Sequence, residues 1–307
     1  MKNILKWIGI LAGALILIVV VYGGYIFMKA GDILNETYSV KTAKLYVPHD
    51  SATIARGEHL ALSVATCAGC HGPDLGGVSI DMGPFAKFNV PNITTGKGGL
   101  PANYTVEQLD LAVRHGIKRD GKGTLLMPSY HLNHIANEDL AAVYAYLKAA
   151  PKVDREIPPF ELGPIGKMVL FKGGIVNQAA ATDHNFKCPP RPEIAPTAEY
   201  GKYIAEMMCI GCHSPNYSGG PAFEGNPNWP PSTNLTTKLK SYTHESFAHL
   251  LKTGFRTDGT LVDTTAMMVS LTSRVDSVEV AALWAYLSVL PKQADASSNW
   301  QDVLAKH

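Results

Sequence analysis

Apolar residues run without a charge from Trp7 to Met28, and the chain beyond them breaks into short periodic stretches punctuated by Gly, Pro and Asn. A helix needs about 20 apolar residues to cross a bilayer, so the first run is long enough. A cleaved leader has a shorter core, roughly 7 to 15 residues, followed by a small-x-small site. Phe27-Met28-Lys29-Ala30 offers no such site, and residues 1–30 are predicted to be a retained membrane anchor. Lys2 and Lys6 precede the span, while Lys29 and Asp32 after it cancel. The positive-inside rule then puts the remainder outside the cytoplasmic (inner) membrane, in the periplasm or on the outer face. Tyr22 and Tyr25 suit an interfacial belt.

Two later stretches carry helical periodicity. Leu140, Val143, Tyr144 and Leu147 recur at i, i+3, i+4 and i+7, as do Val280, Leu283, Trp284 and Leu287. Asn137 is the expected cap of the first helix and Asp276 or Ser277 that of the second, with Pro151 and Pro291 as stops. The two helices lie 140 residues apart, and other blocks repeat in nearly the same register: Cys67 to Cys209 and Asn92 to Asn234 by 142, Gly116 to Gly254 by 138. A repeat of that length signals a duplicated domain, and 307 residues accommodate two. The predicted architecture is all-α: two tandem domains at 51–151 and 196–292, joined by a Pro-rich connector at 152–195, after the N-terminal helix. Within the connector the apolar stretch from Met168 to Val176 is too short to span a bilayer. It is expected to pack between the domains or against a partner.

With 27 basic and 26 acidic residues the net charge is close to zero, which gives no support for a nucleic-acid partner. Four of the five cysteines fall into two identical patterns, Cys67-Ala68-Gly69-Cys70-His71 and Cys209-Ile210-Gly211-Cys212-His213. C-x-x-C-H is the attachment signature of c-type haem. Two thiols three positions apart on one helical turn can each form a thioether to the same porphyrin, and the adjacent His reaches the iron. A redox dithiol or a half zinc site is the competing reading. The His that follows each pair, and the lack of any further C-x-x-C, weigh against both. Two covalently bound haem c groups are therefore expected, held by Cys67, Cys70, Cys209 and Cys212, with His71 and His213 on iron.

On these motifs, together with Asn92-Ile93-Thr94 and Asn234-Leu235-Thr236, Gly116-x-x-x-Asp120-Gly121 and Gly254-x-x-x-Asp258-Gly259, Met127-Pro128 and the closing Ala-Tyr-Leu helices, the chain resembles a bacterial family. It is the class of dihaem cytochromes c that includes the cytochrome subunits of membrane-bound gluconate, alcohol and related dehydrogenases. The resemblance runs from about Ala52 to Pro291. Those subunits often carry three haems where this chain has two, and the second domain here lacks a Met-Pro pair.

Carried along the 140 register, Met127 falls on Met267, each just over fifty residues after its haem histidine. Methionine opposite histidine is the usual ligation for haems that only transfer electrons, so Met127 and Met267 are the candidate sixth ligands. Met268 competes with Met267, and His131 or His134 could replace Met127 if the loop folded differently. Met207 and Met208 read as core. The proximal histidines should each donate a ring N–H to a carbonyl, with Pro84 and Pro221 as candidate acceptors. Cys188 stands alone in the connector, either as a plain thiol or as an unusual axial thiolate. The function expected is a one-electron relay, not an enzyme: an upstream dehydrogenase or quinol-oxidising subunit donates, and a cytochrome c or terminal oxidase accepts. The alternative is a dihaem enzyme, such as a peroxidase or a thiosulfate-oxidising cytochrome, with an open iron position.

Overall fold

A computed structural model describes residues 2–42, 44–220 and 229–296. The first helix, α1 (Lys2–Asn35), is long and apolar enough to cross a membrane. The first domain follows with α2 (Ser51–His59), which runs into a π-helical turn at Leu60–Val64, then α3 (Cys67–His71), the strands β1 (Val78–Asp81) and β2 (Ala86–Val90), α4 (Val106–His115), α5 (Ser129–Leu132) and α6 (Asn137–Ala149). The connector contributes β3 (Glu161–Leu162), α7 (Pro164–Phe171) and α8 (Gln178–Ala181). The second domain is built from α9 (Ala198–Met208), α10 (Ile210–His213), α11 (Leu235–Lys238), α12 (His244–Thr253), α13 (Val269–Thr272) and α14 (Ser277–Leu287).

Helices dominate, as their periodicity predicts, and a small antiparallel sheet in the order β1-β2-β3 is added to them. Its third strand comes from the connector, pairing Ala86 with Leu162. A two-residue strand leaves no alternation to read in sequence. The connector accordingly lies on the first domain and on α1, with Ala30 and Leu170 sharing a cluster with Ala86, Leu125 and Leu162.

Each domain is closed by its first helix crossing its last, α2 on α6 and α9 on α14. Both crossings pivot on a glycine whose missing side chain lets backbones touch. A Cβ on Gly57 would overlap the carbonyl oxygen of Ala142, and one on Gly201 that of Ala282. Gly201→Ala should therefore force the helices apart and cost about 1–3 kcal/mol, the usual range for overpacking. Denaturant unfolding followed by circular dichroism measures this, and an unchanged midpoint would mean that the crossing is looser than described.

Gly57 precedes Cys67 by ten residues and Gly201 precedes Cys209 by eight. The π-helical turn, with Thr66 in the left-handed region at φ 55°, takes up the two extra residues and brings the first Cys pair back into register. The helix caps are partly as expected. Asp276 caps α14, its side chain accepting from the Glu279 N–H. Asn137 does not cap α6: Ala136 holds that position, and the Asn137 amide oxygen instead accepts from Arg114 at 3.0 Å.

Candidate functional site

The two C-x-x-C-H segments form matching single helical turns, α3 and α10, each packed at the end of its domain's first helix. Cys67 and Cys209 are partly buried against the main core. Burial, with Cys70 beside it, pushes the Cys67 thiol up to about 12, and burial with Cys212 does the same to Cys209. A redox dithiol depends on a depressed thiol pKa, so these environments run against that reading.

His71 donates its Nδ1–H to the carbonyl of Pro91 at 2.8 Å, and His213 donates to that of Thr233 at 2.7 Å. Burial lowers both rings' pKa against the opposing pull of those carbonyls. Each imidazole is held through Nδ1, which leaves Nε2 as the atom that could ligate iron. The acceptors differ from those the sequence suggested. Pro84 instead accepts from Ile165, and Pro221 lies outside the described residues. A signal for the true pair was present, since both acceptors stand twenty residues after their histidine and directly before the Asn-x-Thr motif.

That motif explains how the acceptor is fixed. Asn92 Oδ1 accepts from the Thr94 N–H and hydroxyl, both at 2.8 Å, while its amide donates to Val153 at 2.7 Å. Asn234 does the same for Thr236, at 3.0 and 2.6 Å, and donates to Gln293 at 3.0 Å. Val153 and Gln293 each stand two residues past the closing proline of their domain. The chain leaving the last helix therefore pins the loop that holds the proximal histidine.

The distal candidates lie on loops made by matching devices. Left-handed Gly116 and Gly254 end α4 and α12, and a tight turn follows in which Asp120 accepts from the Lys122 N–H and Asp258 from the Thr260 N–H. Met127 and Met267 come next, both partly buried against the main core. Met268 is left-handed at φ 48°. Its sulfur would lie 3.1 Å from a Cβ on Gly69, so it packs on the attachment turn of the other domain. Reciprocally, the buried His131 ring lies against Gly211 of the second attachment turn. Burial and neighbouring His134 push its pKa down to about 3, and its Nδ1 meets no hydrogen-bond partner among the described residues. His134 stands 3.7 Å from Glu206 of the second domain. Met207 is buried core, with Met208 packed beside it. The Cys188 thiol donates to the Ile135 carbonyl at 2.8 Å and accepts from Arg114 at 3.4 Å.

Between the domains lies a cluster that periodicity did not reveal. Asp139 and Glu279, both fully buried, occupy equivalent positions 140 residues apart. Arg56 grips Asp139 with two hydrogen bonds of 3.2 and 3.1 Å and reaches Glu279 at 3.4 Å. Across the interface His59 meets Glu279 at 2.7 Å, and the Tyr203 hydroxyl donates to Asp139 at 2.8 Å. Arg191 of the connector adds a bond to Asp139 at 2.9 Å. Counted from the helix-crossing glycines, Arg56 and His59 correspond to Tyr200 and Tyr203. The repeat thus places one basic and one phenolic copy of the same helix face on two carboxylates.

The donor sets fit haem c on their chemistry: a pair of thiols on one turn, an imidazole oriented through Nδ1, and a partly buried thioether. Fold and site are those of a c-type cytochrome built from two similar domains. Residues 52–147 match the family model described as cytochrome c oxidase, cbb3-type, subunit III, and residues 198–291 match that of cytochrome c. The fructose dehydrogenase cytochrome subunit of Gluconobacter japonicus is 28% identical over 273 residues, covering 80% of this chain and 54% of that protein. A diheme cytochrome c-type protein of Cereibacter sphaeroides is 28% identical over 268 residues, covering 77% of this chain and 86% of its own. The gluconate 2-dehydrogenase cytochrome c subunit of Pantoea cypripedii is 28% identical over 185 residues, 54% of this chain and 39% of that one. The chain spans about half the length of the fructose dehydrogenase subunit. It is a dihaem cytochrome c, with two cytochrome c domains and two covalently bound haem c groups.

Proposed function

We propose that this chain relays single electrons at the outer side of the cytoplasmic membrane, held there by α1, within or beside a dehydrogenase or other respiratory complex. The observation that carries the reading is the duplicated donor set. Cys67, Cys70, His71 and Met127 would hold one haem, and Cys209, Cys212, His213 and Met267 the other. Met267 is chosen over Met268 because the Met268 sulfur is engaged on Gly69 of the opposite domain. When bound, haem c supplies a reversible one-electron iron couple. The protein's part would be to offer an imidazole and a thioether to each iron, to exclude water and to fix the two sites relative to each other. Reciprocal contacts do the last of these, His131 on Gly211 and Met268 with Leu271 on Gly69. The cytochrome subunits of fructose and gluconate dehydrogenases among its relatives favour a dehydrogenase as electron donor, with a cytochrome c or terminal oxidase downstream.

A His and a Met offered to each iron would leave no open position, which makes the reading testable. The intact, membrane-extracted protein should show a mass corresponding to two haems and pass electrons to a soluble cytochrome, yet bind carbon monoxide poorly when reduced and turn over little peroxide. Rapid stoichiometric carbon monoxide binding with substantial peroxide or thiosulfate turnover would replace the relay by a dihaem enzyme.

A further inference from the structure

Helix α7 has the composition of a buried helix and the exposure of a surface one. Of its eight residues, Pro164-Ile165-Gly166-Lys167-Met168-Val169-Leu170-Phe171, only Lys167 is charged. Gly166 and Leu170 face the protein and are buried, while Ile165 and Met168 on the opposite face are 43% and 39% exposed. A helix that is apolar all round is normally enclosed by protein or by lipid. The turn against its N-terminus, where Pro84 accepts from the Ile165 N–H at 3.1 Å, adds the exposed side chains of Ile80 and Met82 on the preceding hairpin.

The position of α7 along α1 identifies what covers it. Phe171 packs edge-to-face on Tyr25, with ring centroids 5.8 Å apart, and Lys167 Nζ sits 5.1 Å from the centre of the Phe27 ring. Tyr25 and Phe27 belong to the last turn of the uncharged run that ends at Met28. At about 1.5 Å per residue, α7 therefore lies alongside roughly the final 5 Å of that run. An uncharged run of this length fills a hydrocarbon core about 30 Å thick, so its last turn is at the boundary with the headgroups.

We infer that α7, with the Ile80–Met82 hairpin beside it, is embedded in the outer interfacial layer of the phospholipid bilayer and seats the first domain on the membrane. The inference rests on the reading of α1 as a membrane span. Lys167 reaching over Phe27 is the posture of a cation whose stem lies in the apolar layer and whose head turns toward the phosphates. The seating is rigid. Lys122 Nζ donates to Asn35 at 2.8 Å, Tyr38 N–H donates to the Gly121 carbonyl at 2.8 Å, and Ile33 and Leu34 pack with Leu125 and Leu126, just ahead of Met127. The loop carrying the first distal candidate is thereby held next to the membrane surface, where a membrane-bound donor can reach it.

Photolabelling separates this inference from the one beneath it. The full holoprotein is placed in nanodiscs made with a phospholipid that carries a diazirine on its acyl chain close to the ester, irradiated, digested and mapped by mass spectrometry. Adducts are expected on α1 and also on residues 164–171, chiefly Ile165 and Met168. Met168→Glu should reduce the α7 adducts several-fold while those on α1 persist. Adducts on α1 with none on residues 164–171 would overturn the inference and leave the anchor standing. Absence of adducts from both would remove the anchor and the inference with it.

Discussion

Asp139→Ala should destabilise the protein by about 3–5 kcal/mol, the range for removing one partner of a buried ion pair. The substitution takes both Asp139 hydrogen bonds from Arg56, only 15% exposed at its side chain, and one each from Arg191 and the Tyr203 hydroxyl. The loss should exceed that of a simple cavity because the largely buried Arg56 guanidinium is left with its longer contact to Glu279, at 3.4 Å. Denaturant unfolding monitored by haem absorbance and by circular dichroism measures it, and a cost below about 1 kcal/mol would mean that water enters the interface freely. The same cluster sets a pH dependence. Burial raises the Asp139 and Glu279 carboxyls, but Arg56, Arg191 and Tyr203 on the first, and His59, the Asp276 N–H and Arg56 on the second, outweigh it and hold both below their ordinary 3.8 and 4.5. A carboxyl depressed in the folded state contributes stability that is fully present above its unfolded pKa and is lost as pH falls through the folded one. The wild type should therefore lose stability progressively below about pH 4.5, and Asp139→Asn should flatten that slope.

Met127→Ala should remove one of two methionine-to-iron absorption bands at the red end of the visible spectrum and open one iron, so that the reduced variant binds about one carbon monoxide per chain. Its potential should fall with the loss of the thioether, since methionine opposite histidine raises the potential. Met267→Ala should do the same for the other band, and Met268→Ala should leave both intact. If Met268→Ala removes a band and Met267→Ala does not, the assignment within that pair is reversed. Because Met127 follows Leu125 and Leu126 in the cluster that packs on α1, the affected site in Met127→Ala is the one nearer α1.

The range of each interaction separates what the residues themselves make legible from what packing adds. The sequence determined the two haem attachment motifs, the duplication behind them, the helical class and the long apolar segment, because each rests on spacing within a few residues or on one repeat read twice. It also determined the closing helices, although Ala136 and not Asn137 caps the first, since the Asn137 side chain is drawn to Arg114. Only the tertiary structure decided which carbonyl receives each proximal histidine, because Pro91 and Thr233 are brought up by a loop pinned to a chain segment some sixty residues further on. It alone turned Asp139 from a favourable charge in a helix's first turn into half of a buried pair, since Arg56 and Tyr203 arrive from helices 83 residues before it and 64 after it. The preference for Met267 over Met268 in the proposed ligand set draws on the same kind of contact. One residue of loop slack is invisible to a repeat, whereas the Met268 sulfur lies against Gly69 across the interface. Local pattern fixed what each segment is, and long-range packing, which no periodicity encodes, fixed what each side chain faces.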